Sequence, residues 1–348
     1  MRRLPVYFLI DVSESMAGEP LEQVQEGIAA IVKELRADPY ALETVWMGII
    51  VFAGKAKTIM PLTDIIQFYP VKLPLGSGTN LGEGLHALEA ELNKSLVKTT
   101  PDSKGDWKPI VFLFTDGRPT DNPKAAIENW KKKYGSSSFF ISISFGNNTD
   151  SELLSSISEN NLTFDATDKS TFNKFFKWVT ASIKSTSQSI ADGNNQIIDL
   201  SKDPNKVISK NLGKSGAQID ENVAVFLAKC QNTRKPYLIK YTKTLKQSEI
   251  PEFDFETLYF RLNGAFSVDE ESYAELSDSS PSGKHISTEE LMGFPTCPHC
   301  GNQFGFSTCA CGNILCTGDE EITSCPWCNV QAKFGFEDGH INLNRSRG

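Results

Sequence analysis

The chain has 348 residues, with 43 acidic against 35 basic side chains and a formal net charge of −8. At roughly 150 residues per domain this length suggests two or three domains, ample for a buried core. A hydrophobic content of 39% with 22% charged residues excludes a wholly disordered chain, no run of 18 apolar residues is present to cross a membrane, and the acidic balance argues against broad phosphate-backbone binding as the main task.

The opening run Leu4–Ile10 follows two arginines and begins like a signal peptide. Asp11 ends it and no small-residue cleavage site follows, so the run reads as a buried strand at Val6–Ile10. Leu21, Val24, Ile28, Ile31, Val32 and Leu35 recur at helical spacing. Val45–Phe52 is a second buried strand, with Lys57–Met60 as a short edge partner. Leu81, Leu85, Leu88, Leu92 and Leu96 mark another amphipathic helix. Ile110–Phe114 is a strand, Pro123–Lys133 a helix, and Phe139–Phe145 a strand. Phe172, Phe175, Phe176, Val179 and Ile183 give a last helix, capped by Asp168 or Ser170. Strands alternating with helices imply an α/β domain, a mostly parallel sheet with helices on both faces.

The polar stretch Ser185–Asn195 reads as a linker. Beyond it Val223–Ala228, Pro236–Tyr241 and Leu258–Val268 read as strands, and the acidic, Ser-rich Asp269–Glu290 as a loop. Cys297–Phe336 holds the metal-type module. The expected division is 1–188 for the α/β domain, 189–292 for the linker and a β-rich part, and 293–348 for a zinc-ribbon-like module.

Three loops carry oxygen ligands. The first strand runs into Asp11-Val12-Ser13-Glu14-Ser15, the second amphipathic helix follows Gly76-Ser77-Gly78-Thr79, and Ile110–Phe114 runs into Thr115-Asp116-Gly117. Each falls at the carboxyl end of a strand or at a βα junction, where open α/β sheets bind ligands. Asp11 and Asp116 supply charge; Ser13, Ser15 and Thr79 supply hydroxyl oxygens. This set suits one hard divalent cation, Mg²⁺ with Mn²⁺ or Ca²⁺ as alternatives, and leaves a coordination position open. Each piece alone is an ordinary helix cap or turn; the combination in this order is what points to metal.

With these motifs, residues 5–185 resemble a von Willebrand factor A domain carrying a metal-ion-dependent adhesion site. The resemblance implies that Ser13 and Ser15 coordinate directly, that Thr79 moves between direct and indirect contact, and that Asp11 and Asp116 act mainly through water. Glu14 departs from the family, which more often has Gly there. The motif leaves that position unconstrained, so Glu14 is expected to point outward. With the opening MRRLPVYFLIDVSESMAGEP and the cysteine-rich tail, the whole chain resembles the TerY family, bacterial cytoplasmic proteins linked to tellurite resistance. That resemblance implies work beside a protein kinase and a metal-dependent protein phosphatase.

All eight cysteines lie after residue 229, and seven fall between 297 and 328. Clustered CxxC pairs read as metal ligands in a reducing cytoplasm. Cys297-Pro298-His299-Cys300 and Cys325-Pro326-Trp327-Cys328 are two knuckles that together make a four-cysteine zinc site. Cys309, Cys311 and Cys316 remain, and Cys230 would complete a second. His299 and His340 are alternative fourth ligands, although His299 is expected to point away. An interleaved partition, with Cys316 in the first site, stays open, as does Cys230 as a plain buried residue.

Other signals are weaker. Gly213-Lys214-Ser215 fails as a phosphate loop because Ile208 stands where Gly is required. Asn147-Asn148-Thr149 and Asn161-Leu162-Thr163 resemble glycosylation sequons without meaning in a cytoplasm. His86 reads as a surface or packed residue and Lys131–Lys133 as a solvated helix end. Arg234, Lys235, Tyr237, Lys240, Tyr241 and Lys243 mix basic and aromatic residues. That mixture could stack single-stranded nucleic acid, but an exposed strand face is favoured. No catalytic set emerges. The expected function is a non-enzymatic adaptor that binds an acidic side chain of a partner through its Mg²⁺ site. A nucleic-acid-binding zinc ribbon and a metal-dependent hydrolase are the alternatives.

Overall fold

The computed structural model describes residues 2–116, 118–145, 150–158, 160–164, 169–191, 222–247, 256–278, 284–318, 320, 322–334 and 341–346. They fall into two compact units. The first takes Met1–Val12, Glu19–Leu73 and Thr79–Gln218; the second takes Ser13–Gly18, Pro74–Gly78 and Ile219–Gly348.

The first unit runs β1 (Leu4–Asp11), α1 (Glu19–Arg36), α2 (Pro39–Thr44), β2 (Val45–Phe52), β3 (Ala56–Asp64), α3 (Leu81–Ser95), β4 (Ile110–Thr115), α4 (Lys124–Tyr134), β5 (Phe139–Phe145), α5 (Ser151–Ile157), β6 (Asn160–Phe164) and α6 (Lys169–Ala191). Its sheet has the order β3-β2-β1-β4-β5-β6. All neighbours are parallel except β3, which pairs antiparallel with β2 at the edge. Every residue of β1 and β4 is buried, because helices cover both faces of a parallel sheet. On one face Tyr7, Leu9, Val111 and Leu113 pack against Leu81, Leu85, Leu88 and Leu92 of α3 and Trp130 of α4. On the other, Phe114 stacks on Phe176 of α6 with ring centroids 6.0 Å apart. The strand order reverses between β1 and β4, so their carboxyl ends lie side by side at the switch point.

The expected linker starts too early. Residues 185–191 continue α6, and Ser187 is buried with its hydroxyl 2.6 Å from that of Thr44. Their polar sequence hid a helical contact with α2. Ser170 lies inside α6, after its first residue Lys169; Asp168 and the rest of the linker lie outside the described residues.

The second unit contains β7 (Val223–Lys229), β8 (Pro236–Gln247), β9 (Glu256–Ser267), α7 (Glu270–Leu276), β10 (His285–Ser287), β11 (Leu291–Met292), β12 (Phe304–Thr308), β13 (Ile314–Thr317), β14 (Thr323–Ser324), β15 (Gln331–Ala332) and β16 (Asn342–Asn344). Its main sheet has the order β11-β9-β8-β7-β13-β12. β13 pairs with β7, so the sheet crosses the boundary expected at residue 293 and the cysteine module is not a separate body. The acidic segment after Asp269 is not all loop: Asp269 caps α7 by accepting the Ser272 N–H at 3.0 Å.

Residues 236–241 of β8 are buried on both faces. Tyr237, Ile239 and Tyr241 join the core that holds Cys230, Cys297 and Cys316. Leu238 joins a second cluster with Ala17, Val225 and Val268. The basic and aromatic residues of β8 therefore do not form the exposed face expected from sequence. Tyr237 and Tyr241 are fully buried and donate to the carbonyls of Gly305 and Gly293 at 2.6 and 3.0 Å.

Candidate metal centres

Asp11 ends β1 and is fully buried. The Thr115 hydroxyl, at the end of neighbouring β4, donates to Asp11 Oδ2 at 2.6 Å. A buried carboxylate needs such a partner, and this bond fixes Asp11 against the strand that leads directly into Asp116. Asp116 is half-buried. Thr79 precedes α3 and is tied to the loop after β4 in both directions. Its N–H donates to Thr120 Oγ1 at 3.0 Å, and its carbonyl accepts the Thr120 N–H at 2.8 Å. Asp121 then accepts the N–H groups of Leu81 and Gly82 at 3.2 and 3.0 Å, closing the first turn of α3. Burial pushes the Asp121 carboxyl pKa above its ordinary value despite these two bonds.

In the second unit Ser13 and Ser15 are buried, with their hydroxyl oxygens 3.0 Å apart. Two hydroxyls at that spacing can share one cation. Between them Glu14 does not point outward as expected. It is fully buried, accepting hydrogen bonds from the Tyr273 hydroxyl and, at 3.2 Å, from Ser77 Oγ. The sequence motif constrains only the serines, so nothing in it signalled a partner for this carboxylate.

All eight cysteines are free of disulfides. They form two groups, Cys230, Cys297, Cys300 and Cys316, and Cys309, Cys311, Cys325 and Cys328, with every Sγ within 4.8 Å of the others in its group. The contacts Cys300–Cys316, Cys309–Cys328 and Cys311–Cys325 measure 3.6, 3.7 and 3.9 Å. A tetrahedral ion with Zn–S near 2.3 Å has sulfur–sulfur edges of about 3.8 Å, so both groups fit zinc.

The partition corrects the expected one. Cys297 and Cys300 do not share a site with Cys325 and Cys328, and Cys230 does not join Cys309 and Cys311. The reason is the two-residue period of β13. Ile314 and Cys316 face the core with Cys230 and Cys297, while Leu315 faces Cys309 and Cys325. One hairpin thus sends its strand cysteine to one site and its turn cysteines to the other. His299 is no ligand: its Nε2 lies 2.9 Å from the Pro236 carbonyl. His340 lies outside the described residues.

Cys230, Cys297 and Cys325 each begin the same turn. The N–H of Arg234, Gly301 or Asn329, four residues on, donates to the cysteine carbonyl at 2.8, 3.0 and 2.9 Å. That fourth residue has positive φ in all three, +59°, +76° and +60°. Cys230 is therefore a knuckle without a second cysteine, and its sequence carries no CxxC to announce it. Backbone N–H groups of Thr233 and Trp327 point at Cys230 and Cys325 sulfurs from 3.4 Å, which favours thiolate ligands.

Two family models match the chain. The von Willebrand factor type A domain matches residues 6–178 and the TerY-C metal binding domain matches residues 220–348. Among characterised relatives, human inter-alpha-trypsin inhibitor heavy chain H6 is 26% identical over 166 residues, 45% of this chain and 12% of that protein. The heavy chain H3 of Pongo abelii is 27% identical over 169 residues, 45% of this chain and 18% of that protein. Complement C2 of Bos taurus is 27% identical over 147 residues, 37% of this chain and 19% of that protein. The chain thus spans less than a fifth of these relatives. Among solved structures, proximal thread matrix protein 1 from the mussel byssus is 21% identical with a TM-score of 0.40, covering 52% of this chain and 48% of that one. The pilus adhesin SpaC of Lactobacillus rhamnosus GG, in its open conformation, is 13% identical with a TM-score of 0.42, covering 53% and 30%.

Proposed function

We propose, from the premise that the chain belongs to the TerY family and joins a von Willebrand factor type A domain to a TerY-C metal binding domain, that it is a metal-dependent adaptor that performs no chemistry of its own. Its working site is the adhesion-type cation site of Asp11, Ser13, Ser15, Thr79 and Asp116. Mg²⁺, or Mn²⁺ or Ca²⁺, would supply there a Lewis-acidic position for an acidic side chain of a partner protein. The carrying observation is the donor set. A buried carboxylate is clamped between the ends of β1 and β4, and the motif that continues from it holds two hydroxyls 3.0 Å apart. Partner binding then favours one arrangement of the Thr79 loop over another, a population shift.

Zinc in the two cysteine groups would make the second unit a rigid contact surface, because thiolate coordination supplies folding energy that a small core lacks. The stress or tellurite-resistance setting, a kinase and a metal-dependent phosphatase as partners, and a cytoplasmic location are part of this proposal and rest on the family. A reducing compartment suits eight thiols. Among the described residues no helix is long and apolar enough to cross a membrane. Burial of Tyr237 and Tyr241 removes the stacking surface that favoured nucleic acid.

The test is capture of partners from host lysate in Mg²⁺ buffer, wild type beside Asp116→Ala, read by mass spectrometry. The proposal expects a kinase or phosphatase held by wild type and lost by the variant. Identical partner sets with a folded variant would refute it.

A further inference from the structure

Glu14 is the residue that sets this loop apart, and its surroundings say what it does. Within the second unit, Ser13–Gly18 carries the two candidate hydroxyl ligands, Ser13 just before and Ser15 within a single tight turn, Glu14–Met16, whose residues are all buried. Three side chains hold that turn from below. Tyr273, on α7, donates its hydroxyl to Glu14 Oε1. Lys240, in the middle of β8 and only 8% exposed, donates its ammonium to the carbonyls of Ser15 and, at 3.0 Å, Ala17. The Phe266 ring of β9 closes over Gly18, where a Cβ would come within 2.8 Å of it and where φ is +87°. The neighbouring segment is held in the same way. Ser77 donates its N–H to Ser277 Oγ at 2.8 Å and its hydroxyl to Glu14 Oε2 at 3.2 Å, and Ser13 pairs with Gly76.

The hydroxyls of Ser13 and Ser15 lie 3.0 Å apart, while the Glu14 carboxylate is taken up by Tyr273 and Ser77 and the Ser15 and Ala17 carbonyls by Lys240. Two buried polar side chains, Glu14 within the turn and Lys240 beneath it, anchor the segment. Burial, ahead of the Glu14 charge, pushes the Tyr273 phenol far above its ordinary pKa, so it remains a donor. Fixing a ligand-bearing turn before metal arrives removes an ordering cost from binding.

We propose that Glu14, Tyr273 and Lys240 are positioning residues that set the metal affinity of the Ser13/Ser15 turn. The residue that replaces the family's Gly is an anchor for the turn and not a rim charge. This inference rests on the adhesion-site reading.

The experiment uses the full chain loaded with zinc and titrates Mn²⁺ by electron paramagnetic resonance. Wild type, Asp116→Ala, Tyr273→Phe and Glu14→Gly are compared, with far-UV circular dichroism and zinc content recorded for each. Tyr273→Phe removes one oxygen and keeps the ring, so it should keep fold and zinc. It is expected to weaken Mn²⁺ binding 3- to 10-fold, and Glu14→Gly to weaken it at least as much, whereas Asp116→Ala abolishes it. A Tyr273→Phe affinity within twofold of wild type, or tighter, overturns the inference while leaving the cation site standing. Wild type that binds no Mn²⁺ overturns both. Should Tyr273→Phe lose zinc or fold, Glu14→Gln, which keeps the shape and one acceptor oxygen, decides by the same criterion.

Discussion

Asp121 accepts two N–H groups at the start of α3 from a loop 40 residues away, so it works as a cap supplied from outside the helix. Removing a cap of this kind costs about 0.5–2 kcal/mol. Asp121→Ala should therefore lower the urea midpoint, with a loss of about 1–2 kcal/mol, the upper part because two donors are orphaned together. Burial raises the carboxyl pKa from its ordinary 3.8 in the folded chain. A raised folded pKa means that folding takes up a proton. The group then favours the fold below its unfolded pKa, and that advantage fades as pH rises through the folded pKa. Asn cannot ionise, so the deficit of Asp121→Asn relative to wild type should shrink as pH is raised from about 3.5 toward 7. A deficit that grows over that range would contradict the sign. The bond pair between Thr79 and Thr120 belongs to the same loop contact. Sequence could place Thr79 before a helix, but only the fold shows which loop holds it.

At the scale of elements, α1 and α6 meet through Gly27, where an added Cβ would fall 2.2 Å from the Phe176 ring. Alanine is better than glycine in a helix by about 1 kcal/mol. Overpacking a tight contact costs about 1–3 kcal/mol, and at 2.2 Å the upper end applies. The clash wins, so Gly27→Ala should destabilise by about 1–2 kcal/mol, read as a lower melting temperature. Adding Phe176→Leu should recover part of the loss; no recovery would mean that the contact is not the cause. Elements like these were legible where one pattern dominated. The leucines of α3 recur with a helical period, and β1, β2 and β4 are unbroken apolar runs because both faces are covered. β6, Asn160–Phe164, has too few apolar residues to register and exists because β5 offers it an edge. β8 misled for the opposite reason. With Tyr237 and Tyr241 on one buried face and Leu238 and Lys240 on the other, no alternation is left to show which way it faces. Lys240 looked like a surface charge because its partners are carbonyls far away in sequence.

Over the whole molecule, the cysteines show what spacing reveals and what it hides. That one four-cysteine site forms, with a second completed by Cys230 left open, followed from their number and their CxxC pairs. The division between sites did not, because it depends on which face of β13 each residue takes and on a knuckle at Cys230 that lies 67 residues before Cys297. The two partitions predict different metal counts in one variant. Changing Cys309, Cys311, Cys325 and Cys328 together to Ser removes one complete site here and leaves Cys230, Cys297, Cys300 and Cys316 intact. Under the sequence-adjacent pairing the same variant would leave two ligands in each site and retain no zinc. This group is the gentler one to remove. Among the described residues its hydrophobic cluster holds Leu315, Trp327 and Phe334, whereas Cys230, Cys297 and Cys316 sit among Phe226, Tyr237 and Tyr241. Native mass spectrometry should find two zinc ions in the wild-type chain and one in the variant, with the β signature of β7, β8 and β9 kept. The complementary change of Cys230, Cys297, Cys300 and Cys316 should go further. Zinc sites of this class supply on the order of 10 kcal/mol of folding free energy, more than a small sheet can lose. The second unit of that variant should therefore lose its tertiary structure along with its metal. A chain that kept a folded core and one zinc after that second change would show that the inner site does not hold the sheet together.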